Sequence, residues 1–341
     1  MKRIFTFILF IFFSTFLFAA KINKINLNLN NFSVDFSELK DSDYIVSADE
    51  DTRLIYIEIL NLDKKSVDKF TNELEEKMKK SGYFEDLNIS KAENALFITL
   101  QLFPKISYII NSTNKKIDLS LYKTNKNKHL IVIDPGHGGK DPGAVRGKVY
   151  EKDIVFAISK HLREELAKDF NILMTRDKDV FIKLHDRSKM ANNAKAKLFV
   201  SVHANASTNT KAHGVEVFYF SRKSSPYAER IANFENSFGE KYGENTNDIV
   251  QISGELAYKK NQENSISLAQ DIVDNIATSV NLRNGGIHGA NFAVLRGFNG
   301  PSILIEVGFV SNSGDREIIT NSDAQKKIAI EIADSIRNYF D

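Results

Sequence analysis

His129-Leu130-Ile131-Val132-Ile133-Asp134-Pro135-Gly136-His137-Gly138-Gly139 is the stretch on which the reading of the fold turns. Its run of aliphatic residues reads as a strand buried on both faces, as in a parallel sheet. The glycines on either side of His137 let the backbone turn sharply and expose the imidazole at the end of that strand. A glycine-rich turn after a strand can instead cradle phosphate. The Walker lysine-hydroxyl pair and the spacing of the dinucleotide fingerprint are both missing here.

The same grammar continues downstream. Ile154, Ile158, Leu162 and Leu166 make the buried stripe of a helix, and Asn171 to Met174 reads as the next strand. Ser188 to Ala194 ends another helix. Leu198 to Val202, Val215 to Phe220 and Ser302 to Val307 are further strands, and Ile328, Ile332 and Ile336 mark a last helix. Strands alternating with helices predict an α/β domain over 129–341, its mainly parallel sheet covered by helices on both faces.

Upstream the pattern differs. Residues 21–122 form a smaller β-rich module with short β-branched and aromatic runs at 53–60, 95–100, 106–110 and 117–121. One helix interrupts them, with Phe70, Leu74 and Met78 at helical spacing and Gly82 as its C-cap. A polar linker, 123–128, separates the two domains. Residues 1–20 combine Lys2 and Arg3, an apolar run to Phe18, and Ala19-Ala20, which reads as a cleaved secretory signal peptide rather than a membrane anchor. No membrane span is expected after it. With 46 basic and 44 acidic residues the net charge is +2, offering no broad basic field for nucleic acid. The chain has no cysteine, so any metal site must use histidines and carboxylates.

Four residues carry the chemistry. In an open parallel sheet ligands bind beyond the carboxyl ends of the strands, where His137, His203 (in Ser201-Val202-His203-Ala204-Asn205) and Glu306 (in Ile305-Glu306-Val307) should lie. Glu306 is the least ordinary, because a carboxylate within an apolar strand is costly to bury without a purpose. Glu151, just before the helical stripe, reads by itself as a solvated first-turn carboxylate that suits the helix dipole. Two histidines and a carboxylate form a catalytic zinc set with a fourth position left for water, although such imidazole-and-oxygen donors also suit other divalent metals. A nearby second carboxylate can take that water's proton.

With these motifs in order, together with Thr175-Arg176-Asp177, Leu184 with Arg187, and Pro301 to Asn312, the chain resembles the zinc-dependent N-acetylmuramoyl-L-alanine amidases of bacterial cell separation. The resemblance implies that His137, Glu151 and His203 bind Zn2+ and that Glu306 is the catalytic base. It implies cleavage of the amide between the muramic acid lactyl group and L-alanine of peptidoglycan, in the periplasm. Thr175, Arg176 and Arg187 are read as anchors for loops and helices. Over 225–238, Tyr227, Ile231, Phe234 and Phe238 stand at helical spacing. In some related amidases a helix in this region plugs the zinc site until an activator protein, here expected at the division site, removes it. That similarity makes Glu235 the candidate autoinhibitory residue, with Glu229 and Glu240 as competitors. His288 is placed in a flexible loop, either solvated or lining the substrate groove. The β-rich module resembles the wall-targeting domains that precede such amidases. Two other functions compete. A non-catalytic wall-binding protein would have lost one of the four key residues, and none is lost; a zinc peptidase remains the other alternative, weakened because the helical His-Glu-x-x-His signature is absent.

Overall fold

The alternation of apolar residues in Leu54–Ile59 puts Ile55, Ile57 and Ile59 on one face, and all three are buried. They pair across to Leu100, Ile98 and Leu96, which are buried too. This two-residue period builds the amino-terminal unit. The computed structural model describes residues 20–28, 31–37, 39–49, 53–65, 67, 68, 71, 83–103, 106–113, 115–123, 125, 128–249 and 254–341.

The chain splits into two compact units at Leu121/Tyr122, with Ser107–Ile109 grouped with the second. The first unit contains β1 (Ile22–Asn28), β2 (Asn31–Phe36), β3 (Tyr44–Asp49), β4 (Leu54–Ile59), β5 (Phe84–Ala92), β6 (Ala95–Leu102), β7 (Ile106–Thr113) and β8 (Lys116–Lys123). They form two four-stranded sheets, ordered β1-β2-β8-β7 and β3-β4-β6-β5. The expected helix at Phe70, Leu74, Met78 and Gly82 lies outside the described residues, as do the expected signal peptide up to Ala19 and Thr124, Lys126 and Asn127 of the linker. Lys123, the first linker residue, closes β8.

The second unit holds β9 (Leu130–Pro135), the hairpin pair β10 (Val145–Arg146) and β11 (Val149–Tyr150), then α1 (Glu151–Leu166) and β12 (Asn171–Met174). Next come α2 (Leu184–Asn193), β13 (Leu198–Asn205), β14 (Val215–Phe220), α3 (Pro226–Lys241) and α4 (Glu255–Ser279). β15 (Asn284–Ala290), α5 (Ala293–Arg296), β16 (Ser302–Phe309), α6 (Ser313–Ile319) and α7 (Ser322–Phe340) complete it. Six strands form one sheet in the order β12-β9-β13-β16-β14-β15. β12, β9, β13 and β16 are mutually parallel, and β14 runs antiparallel to β16 with β15 parallel to β14. The sheet is therefore mainly parallel, as expected. β15 corrects one expectation, because it makes His288 part of a strand, paired with Phe218 in register.

Helices cover both faces, so the central strands are apolar on both sides. Ile131, Ile133, Val200, Val202, Ile303 and Ile305 pack beneath α1, α4 and α7. Leu130, Val132, Phe199, Phe218 and Leu304 point the opposite way, under α2, α3 and α5. Continuing the two-residue period from Phe199, Leu304 and Phe218 towards the edge of the sheet gives His203, Glu306 and Glu216. These lie opposite one another on β13, β16 and β14. Polar groups thus replace apolar ones at one end of the face that α3 covers. α3 is capped by Ser225, whose hydroxyl accepts the Ala228 N–H, and Pro226 opens its first turn. Among the described residues no helix is long and apolar enough to cross a membrane.

Candidate metal centre

His137 follows β9 in the turn and adopts φ +57°, left-handed backbone that a non-glycine residue occupies only when its surroundings enforce it. The enforcement comes from two buried arginines. Arg187 donates to Asp134 Oδ1 at 2.9 Å, to Pro135 O at 2.9 Å and to His137 O at 2.8 Å. Arg176 donates to Pro135 O at 3.0 Å and to Gly136 O at 2.8 Å. Asp134 is also an acceptor for Thr175 and Ser201. Against its burial, Arg187 and these hydroxyls hold its carboxyl below the usual range. Thr175, Arg176 and Arg187 therefore fix the loop carrying His137.

Two glycines let the side chains converge. A Cβ on Gly136 would stand 2.6 Å from the His203 ring, and one on Gly143 would stand 2.5 Å from Glu151 Oε2. Glu151, the first residue of α1, is fully buried. Its Oε2 accepts the Ala144 N–H at 2.8 Å and its Oε1 the Ala204 N–H at 2.9 Å. This corrects the reading of Glu151 as a solvated first-turn carboxylate. Burial alone would raise its carboxyl, but His137 and His203 outweigh that and hold it well below the ordinary value. Asp141, which sequence reasoning missed, lies 2.9 Å from His137 Nδ1. Were Nδ1 to donate to that carboxylate, the neutral ring would turn the lone pair of Nε2 inward.

The inward atoms meet at one point. Glu151 Oε1 is 3.0 Å from His137 Nε2 and 3.2 Å from His203 Nδ1. Glu235 Oε2, from α3, lies 3.5 Å from His137 Nε2 and 3.2 Å from His203 Nδ1. Both ring nitrogens are buried without a hydrogen-bond partner. One donor atom from each of these four residues falls within 4.8 Å of the others. Atoms held tetrahedrally at zinc's usual bond lengths would lie about 3.3 Å apart, so the donor set and its spacing fit such a cation. Burial by itself lowers the His137 imidazole, yet Glu151, Asp141 and Glu235 raise it to about 9. The cluster thus has a strong demand for positive charge.

Glu306 stands beside this group, fully buried, with neither carboxylate oxygen hydrogen-bonded. Burial, followed by the negative charge of Glu235, pushes its carboxyl well above the usual range. The Phe238 ring of α3 packs edge-on against His137 at 4.7 Å. The cavity left between α3, His137 and His203 measures 10 Å³, space for about one water. The competitors for Glu235 point elsewhere: Glu240 accepts a bond from the Thr246 hydroxyl, and Glu229 lines a separate cavity with Arg222 and Arg296. His129 stacks on Phe340, the His161 ring lies 3.7 Å from Glu164, and the His213 ring lies 2.8 Å from Lys211 O. Glu216 was also missed, although its signal, a carboxylate between Val215 and Val217 in an apolar strand, is the one that marks Glu306.

Residues 131–338 match the family described as N-acetylmuramoyl-L-alanine amidase. The chain is 34% identical over 226 residues to the N-acetylmuramoyl-L-alanine amidase AmiA of Escherichia coli K12, an alignment covering 64% of this chain and 78% of that protein. It is 35% identical over 228 residues to AmiA of Salmonella typhimurium, covering 64% and 79%. Among solved structures, the N-acetylmuramoyl-L-alanine amidase from Clostridium difficile 630 is 31% identical at a TM-score of 0.50, covering 63% of this chain and 98% of that one. The chain belongs to the N-acetylmuramoyl-L-alanine amidase family and is an enzyme of that activity, acting on peptidoglycan.

Proposed function

We propose that the protein is a zinc-dependent amidase held closed by its own helix α3. In this reading His137, Glu151 and His203 hold the cation, Glu306 is the catalytic base and Glu235 is an autoinhibitory ligand. The observation that carries it is the convergence of two partnerless buried ring nitrogens with Glu151, beside a buried carboxylate that has no hydrogen bond of its own. The bound cation would supply Lewis acidity and make a water acidic enough to attack at neutral pH. Glu306 takes the proton of the attacking water and returns it to the nitrogen of the departing L-alanine, so the lactyl carbonyl carbon gains oxygen as its bond to nitrogen breaks. Asp141 keeps His137 oriented, and the two arginines keep its loop in place.

With α3 seated the space left beside His137 and His203 holds about one water, and the Glu235 carboxylate would take the remaining donor place of a bound cation. Opening of α3 by an activator protein would admit substrate. The amino-terminal unit serves wall targeting, and the enzyme acts after export to the periplasm, in wall remodelling and daughter-cell separation. These assignments rest on the resemblance to cell-separation amidases.

The closed state has a direct test. Glu235→Ala removes the carboxylate from the donor group while keeping a good helix former in α3. Basal release of stem peptide from purified peptidoglycan should rise about tenfold, the effect of shifting a two-state equilibrium by about 1.4 kcal/mol. A rate equal to wild type in Glu235→Ala, and again after deletion of residues 225–245, would rule out α3 as the plug.

A further inference from the structure

Glu216 is a further buried carboxylate next to the reaction centre, and the chemistry described above does not use it. It lies opposite Glu306 on the neighbouring strand, and Glu306 lies opposite His203 on the next. Residues opposite one another on paired strands share a face, so the three form one row under α3. Glu216 is 4% exposed.

Its hydrogen bonds differ in kind from those of the structural carboxylates. Asp134 is satisfied by Thr175, Ser201 and Arg187, and Asp315 by the Gly214 and Phe309 N–H groups, all independent of α3. The nearest donor to Glu216 comes from α3 itself. The Tyr227 hydroxyl is 2.7 Å from Oε1 and 2.8 Å from Oε2. Asn205 Nδ2 donates to Oε2 at a longer 3.2 Å. His288 Nε2 is 3.9 Å away and lies 3.2 Å from Gly285 O instead. If α3 lifts from the metal group, Glu216 loses its shortest bond, and a buried carboxylate left short of donors is costly.

Glycine also keeps this place open. A Cβ on Gly285 would stand 2.5 Å from Glu216 Cγ. Tyr227 and Glu235 are separated by about two helical turns of α3 and reach the two ends of the same row, Glu216 and His203.

We propose that Glu216 is a substrate-binding carboxylate, and that Tyr227 holds its place in the closed enzyme as a stand-in for a hydrogen-bond donor of the substrate. The ligand chemistry is an N–H of the stem peptide or an O–H of the glycan. The inference rests on the reading of α3 as the plug and extends it: the helix blocks a binding subsite as well as the metal position.

The test uses the full-length chain in a Glu235→Ala parent and two soluble substrates. One is a muramoyl monosaccharide carrying a full stem peptide, the other a tetrasaccharide carrying only a dipeptide. Glu216→Gln should raise KM about tenfold, the order expected for loss of a charge-assisted hydrogen bond, with a smaller effect on kcat. Loss confined to the first substrate assigns the donor to the peptide, and loss confined to the second assigns it to the glycan. Tyr227→Phe, a mild change on α3 that leaves the sheet intact, should raise the basal rate of the otherwise unaltered protein several-fold without raising KM. Turnover with an unchanged KM in Glu216→Gln on both substrates overturns this inference alone. The same holds if Glu216→Gln merely reproduces the rate increase of Tyr227→Phe, since Glu216 would then be only a latch. No turnover in the Glu235→Ala parent, and none after deletion of residues 225–245, overturns the plug reading and this inference with it.

Discussion

Replacing Glu306 by glutamine should reduce kcat by about 10²–10⁴-fold, the usual contribution of a positioned general base, while leaving the zinc content and the fold unchanged. Glutamine matches the volume of the buried side chain, and neither oxygen of Glu306 is a hydrogen-bond acceptor in the structure. No structural bond is therefore lost with the charge. Reaction rates on peptidoglycan, read beside metal analysis and a melting curve, separate the possibilities. A Glu306→Gln protein that melts as wild type, binds zinc and still turns over at more than a tenth of the wild-type rate would remove Glu306 from the chemistry.

The second large effect concerns the cation. His203→Ala deletes a buried ring nitrogen that faces Glu151 at 3.2 Å and leaves two carboxylates with half their positive partners. Zinc affinity should fall by more than about 10²-fold, and activity with it. Asp141→Asn, which only weakens the orientation of His137, should cost about 10–100-fold, as outer-sphere partners generally do. Zinc content after dialysis, measured by mass spectrometry of the metal, checks both. Retention of stoichiometric zinc and full activity by His203→Ala would exclude it as a ligand.

Much of the fold is legible in the sequence because the central strands are buried on both sides. Runs such as Leu130 to Ile133 and Ser302 to Val307 can satisfy their apolar side chains only between two layers of helices. β15 was hidden for the opposite reason. Asn284-Gly285-Gly286 has little strand propensity, and pairing with β14 supplies what the local sequence does not. The antiparallel entry of β14 against β16 is likewise a matter of connection, which periodicity does not encode.

The site divides in the same way. His137, His203 and Glu306 are each conspicuous locally, either in a glycine-rich turn or within an apolar strand. Glu151 is not, because its burial depends on the Gly143 backbone coming close enough for Ala144 to donate to it. The pairing of Asp141 with His137 follows from the same tight loop, in which Gly138 and Asp141 bridge each other. Glu235 stands out from Glu229 and Glu240 only once α3 is docked, since all three occupy one helix and only its facing decides which carboxylate enters the centre.

The most direct measurement is mass spectrometry of the products of purified peptidoglycan after digestion by the Glu235→Ala protein, before and after chelation and again after zinc is restored. A zinc amidase releases intact stem peptides beginning at L-alanine and leaves glycan stripped of peptide; release stops with chelator and returns with zinc. Shortened peptides still joined to muramic acid, or release that persists in the metal-free protein, would contradict it.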